Sequence, residues 1–134
     1  MLIQRMMGSA PPSCCSYEVG DVRRLAWPSG SMDALVDKAT LDTLLNSGEL
    51  DAGAMLAEAA RVLRPGGALL CVSTGTPEER LPLLLAPRSA EAAHCGSEAV
   101  ADVPAPAALR FELAQHEQLQ RGVHTFHVYV LRRT

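Results

Sequence analysis

Aromatic residues make up only 4% of this 134-residue chain, with one Trp, two Tyr and two Phe. A core built largely without them rests on Leu, Val and Ala. Alanine buries little area, and apolar burial stabilises by roughly 25 cal/mol per Å², so a marginal domain is expected. An excess of either charge is also lacking: 12 Lys and Arg stand against 15 Asp and Glu, a net charge of -3. That balance offers no basic face to a phosphate backbone, so nucleic acid is not an expected partner. No apolar run approaches the ~20 residues that cross a bilayer, and no membrane contact is expected. Residues 1–7 are too short for a signal or transit peptide. The four cysteines (Cys14, Cys15, Cys71 and Cys95) form neither a C-x-x-C pair nor a disulfide framework. Such usage suits a reducing compartment, and the cytoplasm is the expected location. His124 and His127 stand three apart in a predicted strand, where side chains point to opposite faces, so no metal is expected. No Ser/His/Asp or Cys/His nucleophilic arrangement is visible either.

What is present is a hydrophobic fraction of 48%, enough for one globular domain at this length. Residues 1–16 lack periodicity and read as an unstructured leader, leaving 17–134 as the domain. Tyr17 to Val19 predicts a short strand ending at Gly20-Asp21. Pro28 to Ser31 is a turn cluster. Met32 to Val36 reads as a buried parallel strand. Thr40 caps a short helix with Leu41, Leu44 and Leu45 on one face, and Gly48 stands at its C-terminal cap. Asp51 starts a second helix whose Met55, Leu56, Ala59, Val62 and Leu63 make a core-facing stripe. Pro65-Gly66-Gly67 stops it, and Ala68 to Ser73 is a second buried strand. Strand, helix, strand in this order predicts a right-handed βαβ unit. Residues 78–85 predict a helical turn or two. The Ala- and Pro-rich stretch 86–106 predicts an irregular insertion. Alternation around Leu109 to Leu113 and over Val123 to Leu131, with a turn at Arg121-Gly122, predicts an antiparallel pair.

Three strings in this frame carry a resemblance: Asp21 to Leu25, Ser31 to Asp42 ending in DKATLD, and Arg64 to Gly67 with the sequence RPGG. Together, at this spacing, they resemble the central and later part of a class I S-adenosylmethionine-dependent methyltransferase. DKATLD is close to the DKGTLD of a protein-lysine methyltransferase subgroup, the one with the elongation-factor and citrate-synthase enzymes. Gly122 to Leu131 resembles that subgroup's last strand. The implied fold is α/β and Rossmann-like, with sheet order 3-2-1-4-5-7-6. Here it is truncated: strands 3 to 7 are present and the first βαβ half is missing.

The resemblance also implies roles. Asp21, with Val22 beside it, would contact the adenine of the cofactor S-adenosylmethionine. Asp37 would lie nearest the reactive methyl group, with Lys38 at the same catalytic edge, and the acceptor would be a protein lysine. Departures matter as well. Ala39 stands where the subgroup has Gly, Trp27 and Met32 stand where Phe is common, and no strand followed by GxGxG precedes Asp21. Weak or lost cofactor binding is therefore expected. The alternatives are a catalytically inactive binding module or half of a split enzyme. The strand at 32–36 would lack its neighbour, so self-association through an exposed sheet edge is expected.

Overall fold

The computed structural model describes residues 2–6, 15–88 and 108–134. Its elements are β1 (Leu2–Met6), β2 (Cys15–Val19), β3 (Met32–Lys38), α1 (Thr40–Ser47), α2 (Glu49–Val62), β4 (Leu63–Ser73), α3 (Pro77–Leu84), β5 (Phe111–Arg121) and β6 (His124–Arg133). β1 and β2 form an antiparallel pair by themselves. The other four make one sheet in the order β3-β4-β6-β5. β3 and β4 run parallel, while β6 is antiparallel to β4 and forms a hairpin with β5. That is the 4-5-7-6 part of the order that the resemblance implies, on a Rossmann-like α/β frame.

Local chemistry explains most element ends. The Gly48 N–H closes α1 on the Leu44 carbonyl and Gly48 then starts α2. At α3, Thr76 and Glu79 form a reciprocal capping box, with Pro77 at the first helical position, where its missing N–H costs nothing. The β5–β6 turn is two residues long. Gly122 there has φ +58, as a II′-type turn requires at its first central position.

The helices cover one face of the sheet. Leu69, Cys71, Tyr129 and Leu131 are buried on that side beneath Leu41, Leu56, Ala59 and Leu84. The expected α2 stripe of Met55, Leu56, Ala59, Val62 and Leu63 is wholly buried. The opposite face is different. Ala34 and Val36 are exposed, and Ala68, Leu70 and Val72 of the inner strand β4 are only half-buried. The expected two-sided burial of residues 32–36 is therefore corrected to one-sided burial.

Two further expectations change. The leader boundary at residue 16 cuts through ordered pairing, because Leu2 to Met6 face Val19 to Cys15 in β-register. Residues 17–19 belong to that pair and not to the main sheet, so β3 is its outer strand among the described residues. Of the expected insertion at 86–106, residues 89–106 lie outside the described residues. Its near flank is anchored, since Arg88 and Leu109 exchange two backbone hydrogen bonds of 2.9 Å each.

The loop from β2 to β3 is held by a buried pair that periodicity could not reveal. Glu58, 2% exposed, bonds Arg61 at 2.7 Å and accepts the Leu25 N–H at 2.7 Å. Arg61 donates in turn to the carbonyls of Leu25 and Trp27. One ion pair on α2 thereby fixes the loop that carries Asp21.

Candidate active site

Ligands of open parallel sheets lie beyond the carboxyl ends of the strands. Here those ends are Asp37-Lys38 of β3 and Ser73 of β4, which lie side by side, with Lys38 in register with Val72. After Lys38 the chain turns sharply at Ala39, whose φ is +64. Its N–H bonds the Val72 carbonyl at 2.9 Å, and its own carbonyl accepts from Thr43.

Asp37 serves this turn directly. Its carboxylate is 5% exposed and accepts the N–H groups of Thr40 (3.0 Å) and Leu41 (3.3 Å). These are orphan donors at the start of α1, where a negative charge also meets the positive end of the helix dipole. The Cys71 thiol lies 3.5 Å from the same carboxylate. Burial, then the Asp37 charge, push the Cys71 pKa upward, so this thiol stays protonated and unreactive. The Asp37 carboxylate thus sits beneath the first turn of α1 instead of projecting past the strand end. Lys38 is exposed on the other face.

Asp42 is the residue that the sequence undervalued. Its carboxylate accepts from the Ser73 hydroxyl, the Thr74 N–H at 2.8 Å and the Thr74 hydroxyl at 3.2 Å, and it pairs with Arg80 at 3.1 Å. Burial raises its pKa, but Ser73, Thr74 and Arg80 outweigh that effect and leave it below the ordinary carboxylate value. Asp42 therefore ties α1, the end of β4 and α3 into one clamp around the carboxyl edge. A spacing argument sees it only as a helix residue, because its partners lie 31 to 38 residues away.

Asp21 is exposed and lies outside this clamp. Both its oxygens are taken by Arg23, through the side chain at 2.8 to 3.2 Å and the backbone N–H at 2.9 Å. Those bonds hold its pKa down to about 2. Arg23 also reaches Asp51 at the start of α2 (2.9 Å). Val22 is half-buried and packs against the core. A cleft of about 80 Å³ lies beside Asp21, lined by Val19, Gly20, Leu25 and Trp27 among others. Ligand pockets for small molecules usually measure ~300 Å³ or more.

One further cluster escaped the sequence reading. The His116 Nε2 lies 3.0 Å from the His127 Nδ1. The ring planes are 11° apart with centroids at 5.2 Å, so the rings meet edge to edge through an in-plane N–H···N bond. Tyr129 stacks beside them, and its hydroxyl donates to the Gly75 carbonyl at 2.8 Å. Burial pushes the Tyr129 phenol up to about 12. Among the described residues no three His, Cys, Asp or Glu side chains converge on a point that could hold a metal. No helix there is long and apolar enough to cross a membrane.

The cofactor that the resemblance implies is S-adenosylmethionine, and the residues described supply only part of a seat for it. The two closest glycine approaches are to the protein itself. A Cβ on Gly67 would meet the Arg64 carbonyl oxygen at 2.8 Å, and one on Gly75 would meet the Arg80 guanidinium at 2.2 Å. Neither glycine is a cradle for a ligand. A carboxylate offers about four acceptor sites, and at Asp21 internal donors fill them. The described residues therefore do not by themselves fit the cofactor.

Comparison with known proteins agrees with the geometry. A family model described as "Methyltransferase domain" matches residues 2–71. EEF1A lysine methyltransferase 4 of Mus musculus is 36% identical over 76 residues, a match covering 48% of this chain and 29% of that protein. The citrate synthase-lysine N-methyltransferase of Pongo abelii, a mitochondrial protein by its name, is 38% identical over 76 residues, covering 55% and 32% respectively. These matches span about a third or less of the curated relatives' length. Among solved structures, a SAM-dependent methyltransferase of Methanosarcina mazei superposes with a TM-score of 0.52 at 16% identity, covering 86% of this chain and 65% of its own. The family match begins at residue 2 and so includes the stretch read as a leader. On the strength of the strand order, the carboxyl-edge turn and the matched residues, the chain belongs to the methyltransferase domain family.

Proposed function

We propose that this chain forms the acceptor-side wall of an S-adenosylmethionine-dependent methyltransferase that acts on a protein lysine. The observation that carries the reading is the edge from Asp37 to Asp42. A left-handed turn there is capped by Asp37 and clamped to β4 and α3 by Asp42. The resemblance of this string and the names of the matched relatives support lysine as the acceptor. The cofactor would supply the methyl group. The chain's own part is to hold and orient, since alignment of the reacting atoms supplies much of the catalysis in such transfers. Asp37 fixes the turn, Lys38 borders the acceptor, and Asp21 with Val22 stands at the adenine end once Arg23 releases it. The cytoplasm is the proposed location, given the unpaired thiol of Cys71. Self-association is also proposed, since the outer edge of β3 pairs with no described strand and the sheet face beside it is apolar.

Calorimetry with S-adenosylmethionine should show no binding tighter than about 100 µM, the level left when several charged hydrogen bonds of ~1.5–3 kcal/mol each are missing. Labelled methyl transfer at saturating cofactor, followed by mass spectrometry of a mixed protein acceptor, should place the label on lysine. Asp37→Ala should lower turnover more than Lys38→Ala, by loosening the turn. Asp21→Asn should mainly raise the cofactor KM. Label on another residue type would sink the lysine assignment, and no label at saturation would sink the enzymatic reading.

A further inference from the structure

The face of the sheet opposite the helices carries an ordered apolar patch, bounded on one side by the row Ala34, Ala68, Arg132 and Glu112, whose two charged residues are exposed. Strand register lays it out in rows. One row runs Lys38, Val72, Val128, Glu117 and the next runs Val36, Leu70, Val130, Gln115, each in the order β3, β4, β6, β5. Val36 is 74% exposed, and the inner-strand residues Leu70, Val72, Val128 and Val130 are only half-buried. The inner strands of a sheet normally bury both faces or present polar groups to water, and these do neither. We propose that this face binds a second copy of the chain, face to face, about a two-fold axis parallel to the strands.

The charge pattern selects that occupant. Lys38 closes the first row at the β3 side and Glu117 closes it at the β5 side. Rotation about an axis along the strands lays β3 of one copy over β5 of the other without shifting the rows. Each Lys38 then faces the partner's Glu117, so two ion pairs flank a centre of Val72 and Val128. A surface that is its own complement is what a closed isologous dimer requires. Sheets stacked this way lie about 10 Å apart at roughly 30°, which a lysine side chain spans.

The outer edge of β3 is the weaker route. Asp33 and Lys38 stand on it, and its pairing is irregular between Met32 and Ala34. Charges and bulges guard edges against further strand addition. Four strands about 4.8 Å apart and roughly seven residues long give about 400 Å² of face per copy. That is small beside standard interfaces, so the dimer should form in the micromolar range.

Sedimentation of the 134-residue chain from low to high micromolar concentration tests the inference. A reversible monomer–dimer equilibrium is expected. Lys38→Glu and Glu117→Lys should each weaken it tenfold or more, and the double variant should return to within about threefold of the original, because the reversed charges meet again. Val36→Lys, at an exposed position that folding does not need, should abolish the dimer. A monomer at every concentration would overturn the proposal, as would failure of the double variant to recover. Open-ended growth of oligomers would overturn it in favour of pairing through the β3 edge. A dimer untouched by Val36→Lys would place the contact elsewhere.

Discussion

Ala39 is the residue where the chain departs most sharply from what its backbone wants. A non-glycine residue at φ +64 carries about 1–2 kcal/mol of strain from its Cβ. The position is over-determined nonetheless: its N–H and carbonyl are both bonded, and Asp37 caps the helix that follows. Glycine would relieve the strain but would gain freedom in the unfolded chain, at a cost of about 0.4–1 kcal/mol. Ala39→Gly should therefore stabilise by a net ~0.5–1 kcal/mol, read as a higher urea midpoint at unchanged slope. A lower midpoint would mean that the left-handed turn is absent in solution. The family resemblance marks this position as one where glycine is usual, and the positive φ that explains the preference is visible only in the structure.

At the scale of elements, long-range carboxylates join what local signals leave separate. Asp42 links α1, β4 and α3, and both it and Arg80 are mostly shielded from water. Asp42→Ala strands Arg80 and the hydroxyl of Ser73, and should cost about 2–4 kcal/mol in denaturant titrations. Asp33 makes an ion pair of equally good distance with Arg64, at 2.6 Å, yet its side chain is 86% exposed. Solvent screens such a pair, so Asp33→Ala should stay within ~0.5 kcal/mol. Similar losses for the two variants would show that the Asp42 clamp is open in solution. The Gly48 cap, the α2 stripe and the β5–β6 turn were legible in the sequence, because each depends on neighbours within a few residues. Thr40 and Asp51, read as N-caps, instead lie inside α1 and α2, whose N-caps are Ala39 and Gly48. The Asp42 and His116–His127 pairings were not legible, and the i,i+3 pair Glu58–Arg61 shows its role only through Leu25 and Trp27, more than thirty residues away.

For the whole molecule, the sheet order makes protection uneven. Among the described residues, β4 and β6 are paired on both sides, whereas β3 and β5 are paired on one. Amides of β4 and β6 should exchange slowest. β3 should split into slow inward-bonded amides and outward amides that exchange at least ~10-fold faster. Face-to-face association would leave that split in place, since it covers side chains and not the edge. Uniform protection along β3 would mean that another strand, from this copy or a second one, pairs with it.

The sequence by itself determined the βαβ unit, the antiparallel closing hairpin, the core stripe of α2 and the family, because periodicity, turn chemistry and the DKATLD and RPGG strings are local. Only the tertiary structure decided what Asp37 and Asp42 do, since a carboxylate's role depends on which donors the fold brings to it. It also decided that residues 2–6 pair with 15–19 and that Arg23 occupies Asp21. That no described element covers the second sheet face was likewise beyond the sequence. Alternating valines and leucines predict strands equally well whether or not a layer lies against them, and burial is settled only by what the rest of the chain places on each side.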